Sequence, residues 1–157
     1  MTATSQQLLA NVLQDKAEAD EAIQPPLAEA AQSEFKQQVR RMLTYELPHA
    51  YLAILAQSDG LDCNGVVLYA SKPYYAEEKF VIQGLMEANV LLRDYLPNRD
   101  FVYFAESGMD FYRHNLQTQK FEISARVGGA VFKSFDTPEE LFDQVLNHML
   151  DNYDDED

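Results

Sequence analysis

Residues 101–135 read FVYFAESGMDFYRHNLQTQKFEISARVGGAVFKSF, and their periodicity decides the fold. Phe101-Val102-Tyr103-Phe104-Ala105 is apolar on both sides, the pattern of a central strand. Ser107-Gly108 supplies a turn. From Met109 to Asn115 the period is two, with Met109, Phe111 and Arg113 on one side and Asp110, Tyr112 and His114 on the other. Phe121 to Arg126 alternates like a strand wet on one face, and the same reading puts His114 on a wet face. Gly128-Gly129 turns the chain into a last strand over 130–135. Four strands with short connections predict an antiparallel meander.

Helices lie on either side of this block. Thr137-Pro138-Glu139-Glu140 matches a capping box with proline at the first helical position. The helix it opens buries Leu141, Phe142, Val145, Leu146 and Met149 and turns Glu140, Asp143, Asn147 and Asp151 outward. Upstream, Leu8, Leu9, Val12, Leu13 and Ile23 predict an amphipathic helix over 3–23, stopped by Pro25-Pro26. Phe35, Val39, Met42 and Leu43 form one stripe on a helix over 27–43, with Arg40 and Arg41 beside it. Leu47-Pro48 opens a third helix that buries Tyr51, Ile54 and Leu55, with Gly60 as its C-cap. Asp62-Cys63-Asn64-Gly65 reads as a turn, 66–70 as a strand, and 71–78 as a polar and aromatic connection. A helix over 83–95 buries Leu85, Ala88, Leu92 and Leu96, with Asn89 on the same side hydrogen-bonded to a neighbouring loop. The expectation is an α+β fold: a largely antiparallel sheet of about four to six strands flanked by helices. Residues 1–150 form a single domain, with 1–43 as a helical extension and 151–157 as a frayed acidic tail.

Composition bounds the function. The 157 residues are 46% hydrophobic and 11% aromatic, which excludes a disordered chain. No stretch approaches the ~20 apolar residues of a membrane span. Met1 to Gln7 holds no Lys or Arg and leads into no apolar run, so no secretory leader is expected. A lone Cys63 excludes an internal disulfide framework and a cysteine-rich zinc site, and a cytoplasmic location fits best. Twelve Lys and Arg against 26 Asp and Glu leave a net charge of −14, which repels nucleic acid and anionic lipid and attracts basic partners. Residues 136–157 carry nine acids and no Lys or Arg, so −9 of that charge lies in the last helix and tail.

Catalytic patterns are not found in the sequence. His49, His114 and His148 lack metal-ligand spacing, with His148 placed near a helix C-terminus where a cation is favoured. Asp59 to Gly65 fails the calcium-loop register, because the bidentate position falls on Ser71. Asp59 and Asp62 raise the pKa of Cys63, opposing a nucleophilic role. Glu106-Ser107-Gly108 lacks the upstream glycine of a nucleophile elbow. The expectation is a non-enzyme with no cofactor and no metal. Two binding surfaces are candidates. One is the acidic stripe of the last helix, Glu139, Glu140 and Asp143. The other is Tyr74 and Tyr75 with Glu77 and Glu78, where rings and carboxylates both attract cations. Burial of those tyrosines on a sheet edge or in the core is the alternative.

Three stretches resemble the SMI1/KNR4 (SUKH) superfamily, which supplies many bacterial immunity proteins. They are Leu47 to Leu55 running on to Asp59-Gly60 and Gly65 to Tyr69; Phe101 to Tyr112 with its Ser107-Gly108 turn; and Val131 to Phe135 leading into the Pro-Glu-Glu-Leu helix. The sequence departs from that pattern at Met109, where a glycine is often found, and in its two long N-terminal helices. The resemblance implies an α+β domain without catalytic residues that neutralises a cognate toxin inside the producing cell. An acidic surface suits a basic toxin domain that attacks nucleic acid. The alternative is an acidic type III-like secretion chaperone that holds an effector segment.

Overall fold

The computed structural model describes residues 1–76, 80–95 and 100–153. In chain order these form α1 (Ala3–Glu18), α2 (Glu29–Leu43), α3 (His49–Leu55), β1 (Leu61–Cys63), β2 (Val66–Leu68), β3 (Tyr74–Ala76), β4 (Phe80–Ile82), α4 (Leu85–Tyr95), β5 (Phe101–Glu106), β6 (Asp110–Asn115), β7 (Phe121–Ala125), β8 (Val131–Phe135) and α5 (Pro138–Met149). The fold is α+β, as expected. One antiparallel sheet runs β1-β2-β5-β6-β7-β8, and β3 pairs with β4 in a separate hairpin.

The meander over 101–135 forms as read, but two hairpins upstream of it were not foreseen. Asn64 and Gly65 both take positive φ, 51° and 80°, and Cys63 pairs with Val66. That is the two-residue turn whose twist matches the flanking strands, so Leu61–Cys63 is a strand and not part of a loop. The 71–78 connection likewise contributes β3. Gly60 is not a helix cap, since α3 ends at Leu55 with Ala56 as its C-cap. Its φ is +88°, and a Cβ there would lie 2.8 Å from the Ala70 Cβ and 2.9 Å from the Ile82 Cγ2. Glycine is required because the chain passes directly against the end of β2.

One face of the sheet carries the helices. A bulge between Tyr103 and Ala105 turns Phe104 inward, where its ring lies 5.3 Å from Tyr51 and 5.2 Å from Phe142. α5 starts at the capping box as read: Thr137 Oγ1 accepts the Glu140 N–H. Its apolar side, Leu141 to Met149, covers the sheet, and α1 packs on α5 with Leu9 and Val12 fully buried. Residues 1–43 therefore supply core as well as length, since Phe35, Val39 and Leu43 join the same cluster.

Over β5, β6 and β7 the other face is not wet, while β8 leaves Val131 and Ser134 exposed. Glu122 and Ser124 of β7 are buried, and Glu122 accepts a hydrogen bond from Arg113 Nε at 3.0 Å, an ion pair between two buried side chains. The Arg113 guanidinium lies 3.7 Å from the centre of the Phe101 ring, and that of Arg126 lies 4.9 Å from Phe111 while pairing with Glu106 at 2.6 Å. Arginine side chains over aromatic rings cover this part of the face, and residue-by-residue alternation does not report that.

His114 of β6 and His148 of α5 are both buried. His114 Nδ1 hydrogen-bonds the Tyr45 hydroxyl at 2.7 Å and its ring stacks on Phe121, so it does not occupy a wet face. His148 does lie in the last turn of α5, but it is buried against Tyr112, whose hydroxyl bonds Nδ1 at 2.5 Å. Burial lowers the pKa of both, so the neutral imidazole is the folded form. An unfolded histidine titrates near ~6.5. The pair therefore stabilises the fold fully above that pH, and the contribution fades as pH falls through the depressed values. Burial raises the pKa of Asp62 and Asp110, which act in the opposite sense as they protonate. The Tm of the natural chain is expected to drop more between pH 7.5 and 5.5 than that of a His114→Gln/His148→Gln variant. Parallel Tm–pH curves for the two proteins would contradict the assignment.

Candidate functional site

The site begins with a gap beside β5. β2 runs along β5 only as far as Tyr69, whose N–H donates to the Phe104 carbonyl at 2.9 Å. Among the described residues, Tyr103 has no strand neighbour on that side. Asn89 of α4 takes the place of one: its Oδ1 accepts the Tyr103 N–H and its Nδ2 donates to the Tyr103 carbonyl, both at 2.8 Å. The same Nδ2 donates to the Leu85 carbonyl one turn back. The partner of Asn89 is thus strand β5 and not a loop. A fully buried amide meets a backbone donor and acceptor that burial would otherwise strand. Leu85 and Ala88 pack beneath it, and α4 is fixed at the sheet edge.

Fixing α4 there leaves its outer face opposite α2, and the two helices wall an open groove of about 650 Å³. Met42 of α2 is 60% exposed, and Val90 and Leu91 of α4 are 43% and 47% exposed. Met86 adds to the apolar floor. The rims are polar. Glu87 and Asp94 stand on the α4 side, Gln38 and Arg41 on the α2 side. Glu87, Val90, Leu91 and Asp94 are spaced i, i+3, i+4 and i+7, one helical face. The groove thus gathers exposed aliphatic side chains in a concave strip with a polar rim.

Sequence reading missed this groove. Met42 was assigned to the buried stripe of α2, and it lies at the border of that stripe, beyond the surface that covers Val39 and Leu43. Val90 and Leu91 fall outside the inward stripe of α4. An apolar pair off the buried face was the available signal.

The residues singled out from sequence lie elsewhere and do not come together. Tyr74 is half-buried, and its hydroxyl donates to Asp59 Oδ2 at 2.7 Å. The buried Asp59 also accepts from the Ser71 N–H at 2.8 Å and the Ser71 hydroxyl at 2.6 Å. Burial and this carboxylate both push the Tyr74 hydroxyl pKa up. Lys72 Nζ stands 5.5 Å from the centre of the Tyr74 ring, so the ring's cation position is filled from within the chain. Tyr75 is exposed. Glu77 and Glu78 lie outside the described residues. On α5, Glu140 is exposed and takes the Thr137 hydroxyl at 2.9 Å, and Glu139 is half-buried in the first turn. Asp143 does not face outward, because α1 lies against it and the Ser5 hydroxyl donates to its carboxylate.

Cys63 is buried, its Sγ directed at the Met149 carbonyl, and burial raises its pKa. Among the described residues, no group of three or more His, Cys, Asp or Glu is placed to hold a metal ion. No helix among them is long and apolar enough to cross a membrane. No protein-family model, no curated protein and no solved structure matches the chain.

Removing the Asn89 amide leaves the N–H and carbonyl of Tyr103 buried and unpaired. Asn89→Ala is expected to cost about 3 kcal/mol by urea denaturation, in line with two orphaned backbone groups. Leu91→Gln, on the exposed side of the same helix, is expected to leave the midpoint within about 0.5 kcal/mol of the natural chain. Equal midpoints for Asn89→Ala and the natural chain would show that α4 is held by other contacts.

Proposed function

We propose that this protein is a non-catalytic immunity protein that binds and neutralises a cognate basic toxin domain in the cytoplasm of the cell that makes both. The observation that carries the reading is an open apolar groove on a chain of net charge −14. The two properties act at different ranges. The charge works over about 10 Å at moderate salt, gathering and orienting a cationic partner before contact. The groove works at contact, where each Å² of apolar surface removed from water is worth about 25 cal/mol. The SMI1/KNR4-like order of motifs supports the immunity role, and a nucleic-acid-attacking toxin suits a surface that competes with its polyanionic substrate. The same groove supports the chaperone alternative, in which it holds an unfolded segment of an effector.

The test is complex formation with the toxin domain encoded beside this gene. We expect a one-to-one complex on gel filtration, loss of toxicity on co-expression, and an association rate that falls about tenfold between 20 and 500 mM NaCl. Absence of binding at 20 mM NaCl would overturn the immunity reading. Binding restricted to an unfolded N-terminal stretch of the client would replace it with the chaperone.

A further inference from the structure

We propose that the groove between α2 and α4 seats an amphipathic α-helix of the partner, apolar side against Met42, Val90 and Leu91, with Lys or Arg along the flank that meets Glu87 and Asp94. The inference rests on reading the chain as one that docks another protein, and it names what that partner presents.

Three observations select this occupant. The first is backbone chemistry. Both walls of the groove are helices, whose backbone donors and acceptors are already used internally. An extended segment laid there would bury N–H and carbonyl groups with nothing to pair them. A helix arrives with its own hydrogen bonds made. The second is spacing. Glu87 to Asp94 spans seven residues, about 10 Å at 1.5 Å per residue, or two turns. A helix with anchors at i, i+3 or i+4, and i+7 matches that length. Met42 and Met86, unbranched and adaptable, suit a floor that takes up an irregular apolar face.

The third is charge. A second copy of this chain would bring another −14 to the contact and is repelled. The α4 rim is acidic at both ends, whereas the α2 rim carries Arg41, so the groove is polarised across its width. Asp94 is exposed in the last turn of α4, where the helix dipole disfavours a carboxylate. It costs the helix stability there and is repaid when a cation binds. The flank of the incoming helix that faces α4 is therefore basic.

Methionine methyl groups read the site directly. Met42 and Met86 line the groove, and the exposed Met109 lies at the β5–β6 turn as an internal control. The probe is an 18-residue synthetic helical peptide with leucines on one face and lysines on one flank, titrated into the ¹³C-methyl-Met protein. A scrambled peptide of equal composition and a Glu-flanked peptide are run beside it. We expect the Met42 and Met86 methyls to shift while Met109 stays in place. Leu91→Glu and Met42→Glu, on opposite walls, should each weaken binding at least tenfold with Tm unchanged. Asp94→Lys should weaken the Lys-flanked peptide and favour the Glu-flanked one. Equal binding of the scrambled peptide, shifts at Met109 equal to those at Met42, or affinity indifferent to Leu91→Glu would each overturn the proposal. So would a concentration-dependent dimer of the free protein that Leu91→Glu abolishes, since the occupant would then be a second copy. A toxin complex that survives Leu91→Glu would remove the groove from the interface and leave the immunity reading standing. Groove binding of the Lys-flanked peptide without toxin binding would do the reverse.

Discussion

Tyr103 has a backbone N–H and a carbonyl that lie beyond the end of β2, and the side-chain amide of Asn89 meets both. Much of the functional geometry follows from that contact. The six-stranded sheet cannot keep β2 beside β5 for the full length of β5, because β2 gives way after Tyr69 to the β3–β4 hairpin. A buried strand left half-edged would lose a hydrogen bond on each orphaned group. The asparagine amide turns one N–H and its oxygen to Tyr103 at the spacing of a peptide group, and so stands in for the missing strand, while its second N–H serves Leu85. The cost is that α4 must lie at the sheet edge, with only its inner side covered. Its outer side, with Val90, Leu91 and Asp94, is left to form the groove with α2.

The sequence disclosed those parts of the fold in which a side chain's local pattern and its final environment agree. The meander over 101–135 did so, as did the capping box of α5, where Thr137, Pro138 and Glu140 act within one turn. Asn64-Gly65 carried a hairpin signal too, flanked by apolar residues at alternate positions, but three-residue strands are too short to assert a period. Other features depend on partners far along the chain. His114 looked wet until Tyr45, 69 residues upstream, closed over it. Glu122 looked wet until Arg113 paired with it and roofed Phe101. Asp143 looked free until Ser5, 138 residues away, reached it. Period-two and period-3.6 arguments assign a residue to a side of its own element; they do not say what covers that side.

The acids illustrate how bulk charge misdirects a search for contacts. Carboxylates that drew attention by their number are in several cases committed to the fold: Asp59 to Ser71 and Tyr74, Glu140 to its own helix cap, Asp143 to α1. Such a carboxylate still counts in the formal charge of the chain. Its lone pairs, however, are no longer free to specify a partner. Net charge and apolar groove are therefore carried by different residues here. The charge is spread over the whole chain, and the groove is lined by a few exposed side chains on α2 and α4.

That division has an evolutionary consequence in physical terms. Asn89, Gly60 and Phe104 sit where a substitution strands a hydrogen bond, forces a 2.8 Å collision or opens the aromatic core, so they are constrained by folding alone. Met42, Val90, Leu91 and Asp94 project into solvent, and exchanging them moves stability by a few tenths of a kcal/mol, on the order of ordinary surface changes. Changes at these four positions reshape the groove without repacking the core. A scaffold that keeps its apolar groove on the outside of an independently anchored helix separates what folding fixes from what the groove presents, and α4 is where this chain draws the line.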